Sequence, residues 1–127
     1  MMTTRTIQED AILATPEEIR TLLAKDNTVI LDVRGPEEIL ETGYLKTKRP
    51  SEKRPHRWIQ LACTRTEASL LELTMDSLFD TKDQPILIHC KSGKRASLAK
   101  RVLEKAGYTN VWNAGGWNDV EPFVVKE

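Results

Sequence analysis

The segments VILDV (29–33) and PILIHC (85–90) are apolar at consecutive positions but for Asp32 and His89, not at alternate ones. A strand of that kind has no face for water, so both sides must be covered, as in a parallel sheet with helices packed on it. The segments between supply the helices. In ATPEEIRTLLAKD, Thr15 stands as N-cap, Pro16 at the first helical position and Glu18 three residues after the cap, with Ile19, Leu22 and Leu23 on one face. Gly35-Pro36 ends the first strand and Pro36-Glu37-Glu38 begins a short helix. TEASLLELTMDSLF repeats apolar residues at helical spacing through Leu70, Leu71, Leu73, Leu78 and Phe79. Arg95 to Ala106 places Leu98, Ala99, Val102 and Leu103 on one face, and Gly107 follows where a left-handed cap is expected. WIQLAC reads as a short strand, and TNVWNAGGW as a last strand running into a tight double-glycine turn. Strand and helix alternate, so the fold class is α/β with a mostly parallel sheet.

At 127 residues the chain is one domain by length, long enough to hold a core without disulfides or metal. Its 19 basic residues balance 19 acidic ones, which gives no electrostatic footprint for nucleic acid. Two cysteines, Cys63 and Cys90, make no CxxC pair and no metal-ligand cluster, so free thiols in a reducing compartment are expected, with no metal and no organic cofactor. The opening MMTTRTIQEDAILATPEE has no apolar run long enough for a signal peptide or membrane span, and the expectation is a cytoplasmic protein without membrane contact.

The chemistry concentrates in Cys90-Lys91-Ser92-Gly93-Lys94-Arg95, which joins a buried strand to a helix. Gly93 permits a positive φ, so successive N–H groups can turn inward as an anion nest. The helix starting near Lys94 aims its free N–H groups and positive dipole end at the same spot. Lys91, Lys94 and Arg95 add positive field, and such surroundings favour thiolate over thiol. A nucleophilic sulfur results, at a place that also stabilises any anion attached to it. A cysteine ending an apolar run can also be an inert buried residue, but Gly93, the cations and the helix start weigh against that here. Glycine and lysine loops bind phosphate too, yet the GxxxxGK[ST] pattern is absent.

Other residues carry blander expectations. Asp32 and Arg34 read as a structural ion pair or strand-end cap. Cys63 could resolve a sulfur species on Cys90 only if the two Cα atoms came within about 7 Å. Alternation along the strand turns His89 away from Cys90, so it is not expected to act as a base. His56 is expected to be solvated, in the stretch Lys46–Arg57 that holds six Lys/Arg against one Glu and reads as a mobile loop, with docking of an acidic partner or guidance of anions as the alternative. Trp112 is expected in the core and Trp117 at a pocket mouth.

VILDVRGPEE, ILIHCKSGKRA, LEKAGYTNV and NAGGW, in that order over roughly Thr15 to Val120, resemble the rhodanese family of sulfurtransferases. The resemblance implies a single rhodanese-like domain over residues 1–127, core about 12–121, built as three α/β/α layers around a central parallel sheet. It implies that Cys90 accepts a sulfane sulfur as a persulfide and passes it to a nucleophilic acceptor. The amides from Lys91 to Arg95 would hold the persulfide, and Lys91, Lys94 and Arg95 would attract a small anionic donor such as thiosulfate or a persulfide carrier. The acceptor would be a thiol or a cyanide-like nucleophile, and a sulfur-carrier protein is a further partner to consider. Phosphatases resembling rhodaneses keep a longer loop between Cys and Arg, whereas here only Lys91, Ser92, Gly93 and Lys94 intervene, which favours sulfur as the bound species over phosphate or arsenate. A non-catalytic interaction module is the third reading. The family's His-aliphatic-Pro-Gly-Ala segment has no counterpart, since ETGYLKTKRPSEKRP stands in its place.

Overall fold

The computed structural model describes residues 12–51 and 53–126. Most of the opening stretch read above for a leader, residues 1–11, lies outside them. The elements in chain order are α1 (Pro16–Leu23), β1 (Val29–Asp32), α2 (Pro36–Thr42), β2 (Arg57–Gln60), α3 (Ser69–Leu78), β3 (Ile86–His89), α4 (Lys94–Lys105), β4 (Val111–Gly115), α5 (Trp117–Val120) and a 3-10 turn (Glu121–Phe123). The sheet runs β2-β1-β3-β4 with every neighbouring pair parallel. Both strands expected from the apolar runs are therefore interior, and every residue of β1 and β3 is buried.

Two cores result from the pleat. Val29, Leu31, Val33, Ile86, Ile88 and Cys90 belong to the core that Leu71 of α3 and Ala96, Ala99 and Leu103 of α4 complete. Ile30 and Leu87 point the other way, onto Ile19 and Leu22 of α1 and Val120 of α5. This is the three-layer arrangement, and it assigns Cys90 and His89 to opposite faces of the sheet.

Local signals explain the helix ends. The Thr15 hydroxyl accepts from the Glu18 amide at 3.1 Å and the Glu18 carboxylate accepts from the Thr15 amide at 2.8 Å, closing the capping box. Gly107 takes the left-handed conformation, φ 101°. On α3 the buried stripe is Leu71 with Met75 and Leu78 packed beside it, and Leu70 and Leu73, counted with them in the helical spacing, are 55% and 83% exposed. A single helical face covers the sheet, and those two leucines fall outside its arc.

Trp112 is half-buried and not central, because β4 is an edge strand; its indole N–H donates to Asn110 Oδ1 at 2.7 Å. His56 also departs from expectation. It is 2% exposed, with Nε2 donating to the Lys25 carbonyl at 3.0 Å and Nδ1 accepting from the Thr47 hydroxyl. Burial lowers its pKa and keeps the ring neutral. The basic stretch is thus pinned to the body at His56, at the buried Leu45 and by the Ser51 amide donating to Asp26 at 3.0 Å. No helix among the described residues is long and apolar enough to cross a membrane.

Candidate active site

Cys90 follows β3 directly, at the carboxyl edge of the sheet where α/β proteins open a crevice. Its own amide donates to the Gly115 carbonyl of β4 at 3.0 Å. Gly93 adopts φ 94° and serves as N-cap of α4, which bends the loop back over the cysteine. The Gly93 amide then donates to Cys90 Sγ at 3.0 Å and the Ala96 amide at 3.4 Å. The sulfur lies at the N-terminus of a twelve-residue helix, the end that carries positive potential. It is wholly covered, at the base of its loop and not on the surface.

The loop cations fall into two groups. Lys91 and Lys94 are exposed and have no ion-pair partner among the described residues, and Ser92 is exposed between them. Arg95 instead reaches Glu38 of α2 through two bonds, Nη1–Oε1 at 2.8 Å and Nη2–Oε2 at 2.7 Å. Glu38 is held at a pKa of about 2 by that guanidinium. Arg95 is therefore a neutralised clamp on the loop, whereas the sequence had placed it with the open cations.

A second layer fixes the loop from β4. Ile88 pairs with Asn113 and His89 with Gly115, so Ala114 is bulged out of the ladder. The bulge turns Asn113, 2% exposed, toward the loop: its Nδ2 donates to the Gly93 carbonyl at 3.0 Å and its Oδ1 accepts from the Gly115 amide at 2.8 Å. Gly116 packs so closely that a Cβ there would overlap the Lys91 carbonyl. Asn113 and Glu38 were missed in the sequence, where a buried, doubly bonded asparagine reads like a solvated one. The NAGG run was the available hint.

The opposite face carries a buried polar group of its own. Arg34 donates to Asp32 through Nε at 2.9 Å and Nη2 at 2.8 Å, and both side chains are at most 1% exposed. The structural ion pair expected of them is present. Arg34 also donates to Thr42 Oγ1 at 2.7 Å and to the Gly43 carbonyl at 3.0 Å, tying down the end of α2, and it lies 4.8 Å from the Trp117 ring centroid. His89 is fully buried near Asp32, its Nε2 3.6 Å from Oδ2, with neither ring nitrogen hydrogen-bonded among the described residues. Burial lowers its pKa and holds it neutral. As expected, it does not face Cys90. Above this group a cavity of about 220 Å³ opens between α2 and α5, touching Arg34, Glu38, Lys91 and Trp117.

Cys63 shares the Cys90 core, but β1 separates them. The Cys63 amide bonds the Val33 carbonyl at 3.1 Å, and the Val33 amide bonds the His89 carbonyl at 3.1 Å. Two strand spacings come to about 9–10 Å, beyond the roughly 7 Å a disulfide spans. Burial pushes the Cys63 thiol up to about 11. Among the described residues no cluster of His, Cys, Asp or Glu is placed to hold a metal ion.

Known proteins resemble this chain in sequence and in fold. Residues 15–121 match the family described as Rhodanese-like domain. The chain is 38% identical over 45 residues to the thiosulfate sulfurtransferase PspE of Escherichia coli strain K12, a stretch covering 35% of this chain and 43% of that relative. The match thus spans less than half of the relative's length. It is 27% identical over 108 residues to a rhodanese domain-containing protein of Drosophila melanogaster, covering 84% of this chain and 94% of that one. In fold it is similar to the polysulfide-sulfur transferase homodimer of Wolinella succinogenes, with TM-score 0.60 and 18% identity over 93% of this chain and 78% of that one.

Proposed function

The chain belongs to the rhodanese-like domain family, and on that footing we propose that it is a sulfurtransferase working through a persulfide on Cys90. The observation that carries this reading is the pair of amides, from Gly93 and Ala96, directed at the Cys90 sulfur. Donors so placed stabilise negative charge on Sγ and on a sulfur attached to it. In the first half-reaction the Cys90 thiolate attacks the sulfane sulfur of an anionic donor such as thiosulfate. The donor's S–S bond breaks, sulfite leaves with its electron pair, and Cys90 carries the sulfur. An acceptor thiolate or cyanide then attacks the outer sulfur, and the electron pair of the breaking bond returns to Sγ.

Lys91 and Lys94, exposed and without an ion-pair partner among the described residues, supply the attraction for a dianionic donor. Cys90 has no exposed surface, so a donor reaches its sulfur only when the loop over it moves. The short loop supports sulfur chemistry over phosphoester or arsenate chemistry, because four intervening residues hold the amides against Sγ itself.

Incubation with thiosulfate should add one sulfur atom to the protein by intact mass, release sulfite, and yield thiocyanate after cyanide. Cys90→Ser should show none of these. A wild-type protein that gains no sulfur from thiosulfate, polysulfide or a low-molecular-weight persulfide sinks the reading.

A further inference from the structure

The cavity between α2 and α5 takes no part in holding the Cys90 sulfur, yet it adjoins the cysteine loop at Lys91. Two of its charges are already engaged, Arg34 with Asp32 and Glu38 with Arg95. Two others are not. Glu41, on the last turn of α2, and Lys91 are exposed and have no ion-pair partner among the described residues. Among the described residues the cavity is thus lined by one unpaired acidic residue on its helix side and one unpaired basic residue on its loop side. Trp117 also lines it, its ring held by the buried Arg34 guanidinium at 4.8 Å. At about 220 Å³ it is smaller than the roughly 300–1,000 Å³ of pockets that enclose drug-sized molecules. It suits an amino-acid-sized ligand.

We propose that this cavity is the acceptor's binding site and that it selects small thiols bearing both an ammonium and a carboxylate group, the ammonium against Glu41 and the carboxylate against Lys91. The inference rests on the sulfurtransferase reading above and names the acceptor class for it. Uniformly anionic or uniformly cationic thiols meet one matched and one opposed charge, whereas a zwitterion meets two matched ones. The bound thiolate attacks the outer sulfur of the Cys90 persulfide. A new S–S bond forms to the acceptor, the bond to Sγ breaks, and its electron pair leaves Cys90 as thiolate. One S–S bond is exchanged for another and one thiolate for another, so no oxidant or reductant enters the step.

The test uses protein loaded from thiosulfate, with loading read by intact mass, then mixed with cysteine, cysteamine, mercaptopropionate or mercaptoethanol. The second-order rate of sulfur discharge is the readout. Glu41→Gln should slow discharge by cysteine and cysteamine about fivefold relative to the other two thiols, the size of one modest charged contact. Lys91→Gln should slow cysteine and mercaptopropionate relative to cysteamine and mercaptoethanol by a similar factor. Comparing each variant with wild type removes the thiols' differing intrinsic nucleophilicity. If the protein loads but neither variant changes the ratios, or each slows all four thiols alike, the acceptor site is overturned while the sulfurtransferase reading stands. If the protein does not load, both fall together.

Discussion

Glu38 and Arg95, fifty-seven positions apart, meet through two parallel hydrogen bonds of 2.8 and 2.7 Å that lock α2 to the cysteine loop. The carboxyl titrates near 2 in the folded chain against an ordinary 4.5. A depressed folded pKa means that the pair's contribution is complete above 4.5, fades as pH falls below that value and is gone beneath 2. Glu38→Gln should cost about 1 kcal/mol at neutral pH, allowing for the water that still reaches the pair. Urea melts of the two proteins should converge as the pH drops through 4 toward about 2. A gap that persists unchanged at the acid end would contradict the assignment.

The Asp32–Arg34 pair is the reverse case, because it is enclosed. Asp32→Ala strands a buried guanidinium and should destabilise by about 3–5 kcal/mol, read from the midpoint of chemical unfolding. The loss should be accompanied by a change in tryptophan fluorescence, since Arg34 lies against Trp117. A cost below about 1 kcal/mol would mean the pair is wetter than its exposure indicates.

Asn113 joins the cysteine loop to the β4 bulge with both halves of its amide. Asn113→Ala should cost about 2 kcal/mol through the two groups left unpaired. It should also speed amide exchange at Gly93 and Gly115 and lower the rate of sulfur loading. Unchanged exchange at Gly93 would remove Asn113 from the set of positioning residues.

Lys94 stands at the rim without a partner among the described residues. Lys94→Ala should raise the KM for thiosulfate about threefold at low ionic strength with little effect on kcat, and the difference should shrink as salt screens the rim. A kcat effect without a KM effect would place Lys94 elsewhere in the reaction.

Cys63 should prove dispensable. Cys63→Ala should load sulfur like wild type, and no Cys63–Cys90 disulfide should form under mild oxidation, because β1 stands between the two segments. With its thiol pushed up to about 11, Cys63 stays protonated through the working range. Recovery of that disulfide by peptide mapping would show that the sheet edge rearranges.

The α/β order, the interior position of β1 and β3 and the cysteine loop were legible because they rest on local physics. Consecutive apolar residues leave no wet face, Thr15 and Glu18 cap within one turn, and Gly93 sets its own φ. His56 misled because charged neighbours imply water, while its burial depends on Thr47 and the distant Lys25 carbonyl. Leu70 and Leu73 misled because helical spacing marks several overlapping stripes and only packing selects one.

By itself, then, the sequence determined the alternation of the main strands and helices and that a sulfur ends an interior strand at a helix's positive end. Only the tertiary structure decided which charges cancel. It took up Arg95 with Glu38 and Arg34 with Asp32, and left Lys91, Lys94 and Glu41 without ion-pair partners among the described residues. Backbone propensity acts within a few residues of chain, whereas an ion pair depends on distances that exist only after the strands and helices have packed.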